Sequence, residues 1–389
     1  MRPVVVTVLW GLVAMSPPVV AKPPVADRLA TGSELSVDER ARALSLGPWP
    51  PARRADPSNR VSGRPQAIEL GRRLFRDPRM SSVGYVACVT CHQPDRAFTD
   101  TKARAHGLAD LPRNTPALFD LRQQRWFGWG GSSDSLWMAS IRPILDPREL
   151  DGSLATITRL FTRDEELAAC YRRVFGVSPL RQPERTAVNV GKALAAFQET
   201  LVTGRTPFDD YRDALASGDR DALAAYPAAA QRGLALFVGA AGCVRCHRGP
   251  NLSDGEFHAT RGAGVVEIAA PVVSDVGRFD GARSLKQHPL NLTGRFNDDA
   301  SRRNASATQR LVVNTALQGR FRTPSLRNVA VTAPYLHDGR VDDLSLALQH
   351  GAALPAPQVA DLRAFLESLT DRDGERRPWS SADRLTPCP

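Results

Sequence analysis

Apolar residues recur at helical spacing along much of this chain, whereas the two-residue alternation of a β-strand is rare. Residues 66–76 place four such positions on one face of a helix: Ile68, Gly71, Leu74 and Phe75. The same spacing predicts three further helices, over residues 183–201, 222–237 and 354–369. The pattern therefore predicts a mainly α fold.

Other stretches lack this periodicity. Residues 22–64 are rich in Pro, Arg and Ala, and we expect an extended arm or linker there. Residues 259–322 are polar and turn-rich, and a loop of this length is usually functional or disordered. Residues 373–389 form a loose tail in this interpretation.

The N-terminus has the pattern of a secretory signal. Arg2 precedes an almost wholly apolar run from Val4 to Met15, and small residues up to Ala21 follow. We expect a signal peptide over residues 1–21, since the run is short for a bilayer span of about 20 residues. An uncleaved membrane anchor is the alternative.

Length and composition indicate the number of domains and the net charge. The 389 residues, 42% hydrophobic and 24% charged, suit a globular chain of two or three domains. The net charge is +10, but the Lys and Arg residues are scattered. We interpret this charge as solubility and as steering of an acidic protein partner, and we do not expect nucleic-acid binding.

Two pentapeptides bring in chemistry: Cys88-Val89-Thr90-Cys91-His92 and Cys243-Val244-Arg245-Cys246-His247. Two cysteines three apart share one face of a helical turn, where their thiols can add to the haem vinyl groups. The adjacent histidine then reaches the iron, so Cys-x-x-Cys-His is typical of c-type haem attachment. Because this attachment takes place outside the cytoplasm, the motifs and the signal together predict the periplasm.

Two cysteines remain outside these motifs, Cys170 and Cys388. In an oxidising compartment they could form a disulfide. The alternative is a buried Cys170 within an apolar run and a free Cys388 in the tail.

The chain contains an internal repeat. A helix ending in Gly-x-x-Leu-Phe precedes each haem motif. Each motif is followed by Thr-Pro-small-Leu, beginning at Thr115 and Thr323, and fourteen residues later by an aromatic residue that leads into a glycine turn, Trp129 and His337. The pattern predicts two cytochrome c-like domains, residues 65–205 and 206–372, related by internal duplication.

At this level the chain resembles the di-haem bacterial cytochrome c peroxidase and MauG family. The resemblance covers roughly residues 65–370 and rests on ordered segments: Leu70–Phe75, Cys88–His92, Asp95–Asp100, Arg113–Pro116, Thr323–Asn328 and Ala333–Gly339. It implies two helical haem domains with a calcium ion between them. It further implies peroxide chemistry at the N-terminal haem and electron transfer at the C-terminal haem.

The resemblance also implies site residues. His92 and His247 would be the proximal ligands of the two haem irons, and Trp129 would lie between the haems. Glu149 and Pro143 would lie on the distal side of the first haem, where a carboxylate can move a proton during O–O cleavage. The family's calcium ligands fall on three residues: Asn114, Thr332 and Pro334.

Three positions depart from the family pattern. The family's distal glutamine falls on Ala139. His106 falls where peroxidases of the family carry a removable distal histidine that MauG-type members lack. The Met or Tyr that caps the C-terminal haem falls on Gly351, so His350 could serve as ligand or the iron could be five-coordinate. Methionine raises haem potential, and its absence therefore predicts a lower potential.

The leading functional hypothesis is a periplasmic di-haem peroxidase that reduces hydrogen peroxide with electrons from a small cytochrome c or cupredoxin. The second is a MauG-type oxidase that uses peroxide to modify Trp or Tyr of a partner protein. Gly351 and Ala139 favour the second, and His106 favours the first. A third hypothesis is a di-haem electron carrier without peroxide chemistry. Two structural zinc sites would leave the family pattern unexplained.

Overall fold

The computed structural model describes residues 35–52, 55–259, 275–351 and 353–372. Helices dominate: α1 Val37–Leu44, α2 Pro65–Arg76, α3 Cys88–Cys91, α4 Leu136–Leu145, α5 Leu154–Arg163, α6 Glu165–Phe175, α7 Pro183–Gln198, α8 Pro207–Ser217, α9 Arg220–Ala225, α10 Ala228–Val238, α11 Arg278–Gln287, α12 Ser306–Gln309, α13 Leu344–Gly351 and α14 Ala356–Glu367. Strands β1 Phe257–Ala259 and β2 Arg320–Arg322 pair antiparallel, with His258 opposite Phe321. The predicted mainly α class is confirmed.

The first hydrophobic core is built on the crossing of α2 and α7. Pro65 occupies the first turn of α2, where its missing N–H costs no helix bond. The two helices approach so closely that a Cβ at Gly71 would lie 2.6 Å from the carbonyl carbon of Ala193 and 2.9 Å from the Phe197 Cβ. Only glycine permits this approach. The crossing places Phe75 6.5 Å from the ring of His92, between ring centroids.

The second core repeats this arrangement with α10 and α14. A Cβ at Gly233 would lie 2.6 Å from the carbonyl carbon of Asp361 and 2.8 Å from the Phe365 Cβ. Phe237 then lies 6.5 Å from the ring of His247. The two Gly-x-x-Leu-Phe segments therefore have the same structural role: the glycine allows the close helix crossing, and the phenylalanine lies near the histidine ring.

The N-terminal segment differs from the expected extended arm. Residues Val37–Leu44 form a helix that starts with a capping box, in which Ser36 and Glu39 satisfy each other's backbone N–H groups. This helix contributes Ala43 to the second core. The Ser-x-x-Glu spacing was visible in the sequence and is the signal that our prediction missed.

The segment expected to be a long loop, residues 259–322, also contains structure. Residues Arg278–Gln287 form a helix, and Leu285 with the leucines at 290 and 292 packs into the first core. The Lys192 ammonium, 2% exposed, holds the segment by donating to Asp298 at 2.6 Å. A segment from the second half of the chain thus packs against the first core. Local periodicity in the sequence cannot predict such a long-range contact.

None of the helices in the described ranges is long and apolar enough to cross a membrane. The predicted signal peptide and the predicted tail lie outside the described residues. Cys170 is buried in α6 and takes part in a disulfide. Cys388 lies outside the described residues.

Candidate haem sites

The first Cys-x-x-Cys-His motif begins with the short helix Cys88–Cys91, which places both thiols on one turn. The His92 Nδ1 lies 3.0 Å from the carbonyl oxygen of Phe98. A hydrogen bond from Nδ1–H to this carbonyl leaves the Nε2 lone pair available for a metal. Burial lowers the pKa of His92, which keeps the imidazole neutral, as a ligand must be.

The second motif has the same construction. The His247 Nδ1 lies 3.0 Å from the carbonyl oxygen of Leu252, and burial lowers the pKa of this histidine too. Both acceptor carbonyls belong to bulky residues in the left-handed region, with φ of 58° at Phe98 and 49° at Leu252. Such backbone costs on the order of 1–3 kcal/mol and is typical of functional sites. The fold sustains this strain at both histidines.

These residues fit two c-type haems. Each site supplies two thiols on one turn, a neutral and partly buried imidazole with its tautomer set by a carbonyl, and a phenylalanine near the ring. Second-shell acceptors of this kind orient haem and metal ligands in general. The six predicted attachment residues are thus arranged as the motifs require.

Glu149 lies close to the first motif. The loop at residues 105–109 connects them: the carbonyl oxygen of His106 lies 3.6 Å from the Cys91 Sγ, and Leu108 N donates to the Glu149 carbonyl at 3.1 Å. Gly107 packs so tightly that a Cβ there would lie 2.7 Å from the Glu149 Cα. The carboxylate acts electrostatically on both thiols of the motif, which places it beside the first site.

Burial raises the pKa of Glu149 to about 7, and the Asp146 carboxylate adds to this rise. The guanidinium groups of Arg148 and Arg142 act in the opposite direction but do not offset burial. A carboxyl that titrates near neutral pH can both accept and donate a proton under working conditions. This property suits the general acid–base role predicted for Glu149.

Pro143 and Ala139 lie four residues apart on α4, on the same side of that helix. Glu149 follows four residues after the helix ends at Leu145. Proline and alanine carry no hydrogen-bond donor in their side chains. Ala139 stands where the family has a glutamine that donates a hydrogen bond. Glu149 is therefore the polar side chain that we predict on the distal side of the first haem.

The His106 side chain is 51% exposed and its Nδ1 lies 2.6 Å from Asp110 Oδ1. Its backbone, rather than its ring, contacts the first haem motif. Ligation of iron by His106 stays a prediction.

Trp129 joins the two halves of the chain. Its Nε1–H donates to the Asn114 carbonyl at 2.9 Å, and its own carbonyl accepts from Arg322 N at 2.9 Å. Asn114 N in turn donates to the His337 carbonyl at 2.8 Å. The tryptophan is therefore positioned by backbone groups from both sides of the predicted duplication.

The predicted calcium ligands belong to this same region. The Asn114 Nδ2 donates to the Lys102 carbonyl at 2.8 Å, and Thr332 Oγ1 donates to the Val329 carbonyl at 3.1 Å. The backbone bond from Asn114 to His337 brings the segment that contains Thr332 and Pro334 toward Asn114. Calcium binding by these residues stays a prediction.

Gly351 is the last residue of α13, and His350 beside it is exposed. A Cβ at Gly351 would meet no atom within 4 Å among the described residues. The position at which the family caps the C-terminal haem is thus open to a larger side chain. A role of His350 as ligand stays a prediction.

Three polar residues lie buried around the turn at residues 128–131, which contains Trp129: Arg278, Arg322 and His337. The sequence marked His337 only as a position of the repeat, and it did not mark the two arginines. Arg278 donates to the Gly131 carbonyl at 2.6 Å, and Arg322 donates to the Gly128 carbonyl at 3.3 Å. Nothing in their local sequence marks them as buried. Only the folded chain shows that they converge.

Two haem-attachment sites, with a carboxyl of raised pKa beside the first, define a di-haem c-type cytochrome with the features of an oxidoreductase. A family model described as di-haem cytochrome c peroxidase matches residues 65–217. The methylamine utilization protein MauG of Methylorubrum extorquens is 34% identical over 323 residues, which cover 78% of each chain. The cytochrome c551 peroxidase of Nitrosomonas europaea is 28% identical over 357 residues, which cover 88% of this chain and 92% of the relative.

The protein therefore belongs to the di-haem cytochrome c peroxidase and MauG family. Solved structures agree on the fold. A MauG-like protein associated with microbial copper homeostasis superposes with a TM-score of 0.62 at 25% identity, covering 85% of this chain and 98% of that one. The diheme peroxidase BthA of Burkholderia thailandensis gives 0.64 at 24% identity, covering 82% and 88%.

Proposed function

We propose that the protein is a periplasmic di-haem c-type peroxidase that reduces hydrogen peroxide to water with electrons from a small redox protein. The observation that carries this proposal is Glu149, a half-buried carboxyl beside the first haem motif with a pKa raised to about 7. An electron carrier has no use for a poised acid–base group at one of its two sites. A peroxidase does.

Peroxide reduction consumes two electrons and two protons and yields two water molecules. Bound haem supplies the redox-active iron at which the O–O bond is cleaved. Glu149 accepts a proton from one peroxide oxygen and returns it to the oxygen that leaves as water. Arg142 and Arg148 favour the ionised carboxylate, whereas burial and Asp146 favour the protonated form, so both forms are populated near pH 7.

We assign peroxide reduction to the His92 site and electron entry to the His247 site. The position of Trp129, bonded to backbone from both halves, supports a role for its indole between the two sites. The matching helix crossings at Gly71 and Gly233 support two domains, residues 65–205 and 206–372, that arose by duplication. A calcium ion held through Asn114, Thr332 and Pro334 would join the same two segments.

Export to the periplasm is supported by the apolar N-terminal run and by the two haem-attachment motifs, whose chemistry belongs outside the cytoplasm. The net charge of +10 favours an acidic electron donor, such as a small cytochrome c or cupredoxin.

Stopped-flow reaction with hydrogen peroxide tests the proposal. The rate of the wild type should rise with pH around an apparent pKa near 7, and Glu149→Gln should react about 10²–10⁴-fold more slowly with a flat profile. Asp151→Asn is the matched control, since it removes an exposed carboxyl two residues away and should leave the rate unchanged. An unchanged rate in Glu149→Gln would contradict the proposal.

The oxidation state at the start of the reaction decides the subtype. A peroxidase that must first receive an electron should react only after half-reduction. Rapid oxidation of the fully ferric protein by peroxide would instead indicate MauG-type chemistry. Absence of reaction in both states would leave only electron transfer.

A further inference from the structure

Two buried arginines lie around the turn that contains Trp129. Arg278 is 2% exposed and Arg322 is 6% exposed. Within the described ranges neither guanidinium forms an ion pair with a carboxylate, whereas the neighbouring Arg113 makes a bidentate pair with Asp275 at 2.7 and 2.8 Å. A buried charge without a partner costs several kcal/mol in general.

The contacts that these two arginines make only partly compensate for the loss of hydration of their charges. Arg278 lies between two aromatic rings, 4.5 Å from Trp126 and 4.0 Å from Phe257, and donates to two glycine carbonyls. Among the described residues, the Arg322 guanidinium donates to the carbonyls of Gly128 and Thr323, both at 3.3 Å, and to no other group. A guanidinium has five N–H donors, so in both groups some donors have no acceptor among the described residues.

A third unsatisfied group lies beside them. The His337 ring is 4% exposed and stacks on Phe321 with 3.6 Å between ring centroids. Its Nε2 is buried without a hydrogen-bond partner among the described residues. Phe321 directly precedes Arg322 in β2, so the histidine and the arginine belong to one neighbourhood.

The cluster lies against the C-terminal haem motif. Arg322 is followed by Thr323, whose carbonyl accepts from Ser253 Oγ at 2.7 Å, and the backbone of Pro324 faces the His247 ring. Two buried cations and a spare ring nitrogen next to a haem-attachment site call for a dianionic or paired carboxylate ligand. Each haem carries two carboxylates, its propionates.

We propose that Arg278, Arg322 and His337 form the propionate-binding site of a haem, with Arg322 as its principal cation. The three residues come from the second half of the chain and two of them are held by the turn that contains Trp129. The site therefore couples haem binding to the junction between the halves. This inference rests on haem attachment and does not depend on peroxide chemistry.

The test compares Arg322→Gln with Arg320→Gln in the holoprotein. Arg320 lies two residues away on the same strand and is exposed, so the control removes the same charge from solvent. A buried cation next to a propionate stabilises the reduced haem. We expect Arg322→Gln to lower the equilibrium constant for reduction of one haem at least tenfold, about 59 mV for one electron. Arg320→Gln should change it less than twofold.

A second variant keeps the test valid if Arg322→Gln fails to fold. Arg322→Lys retains the charge but loses the planar fork. We expect it to keep most of the potential while shifting the propionate bending bands in resonance Raman spectra. Equal potentials in Arg322→Gln and Arg320→Gln, with both haems attached, would overturn the proposal, as would unchanged Raman bands in Arg322→Lys. Neither readout involves peroxide turnover, so failure here leaves the peroxidase proposal intact.

Discussion

Replacing Glu149 by Gln should stabilise the protein at alkaline pH while it impairs peroxide reduction. Burial raises the pKa of this carboxyl from 4.5 to about 7 in the folded state. The folded protein therefore holds the proton more tightly than the unfolded chain. Between these two pKa values stability falls as pH rises, because the folded state binds more protons than the unfolded state.

The magnitude follows from the shift. One pKa unit corresponds to 1.36 kcal/mol, so ionised Glu149 destabilises the fold by at most about 3 kcal/mol above pH 7 and by almost nothing below pH 4. Solvent screening of a half-buried carboxylate lowers this upper limit. Glutamine cannot ionise, and the variant should lack this penalty at every pH.

The assay is urea unfolding of the holoprotein at pH 4 and pH 8, since covalent attachment keeps the haems on the unfolded chain. The gain in unfolding free energy of Glu149→Gln over wild type should be larger at pH 8 than at pH 4. Differences between variants cancel the titration of all other groups. Asp151→Asn should show no such pH dependence. A gain that is equal at both pH values would refute the assigned pKa and, with it, the poised acid–base group.

Two other predictions concern glycines. Gly71→Ala should lower the unfolding free energy by about 1–3 kcal/mol in a urea titration, because its Cβ would overlap the backbone of Ala193. This loss exceeds the gain from alanine's better helix propensity. Gly351→Ala is the control, since a Cβ at that position meets no described atom. Gly351→Met should give the C-terminal haem a thioether ligand and raise its reduction potential. The ligand would be detected by the long-wavelength absorption band of methionine-ligated ferric haem. A spectrum and potential identical to those of the wild type would show that a side chain at this position does not reach the iron.

Local signals in the sequence accounted for much of the protein. Apolar periodicity located α2, α7, α10 and α14, because a helix that buries one face must repeat apolar residues at helical spacing. The Cys-x-x-Cys-His motifs located the haem sites, because attachment requires those residue types within one turn. The missed helix at Val37–Leu44 had a local signal as well, the capping box.

Other features depended on chain segments that are distant in sequence. The neighbourhood of Glu149 depends on the loop at 105–109, whose backbone bonds join it to the Cys88–His92 motif. The raised pKa of Glu149 is a consequence of burial, and burial cannot be inferred from the residues adjacent to Glu149 in the sequence. The leucine at 285 belongs to the first core although it lies in the second half of the chain.

The sequence by itself determined the helical class and the two haem-attachment motifs, since the signals for both are local in the chain. Only the tertiary structure decided the electrostatic environment. It places a carboxyl with a pKa of about 7 beside the first site, and near the second the guanidinium groups of Arg278 and Arg322, which form no ion pair among the described residues. The physical reason is that the free energy of a charge depends on how much water and which partners surround it. That surrounding is assembled from distant segments, here joined at the turn of Trp129.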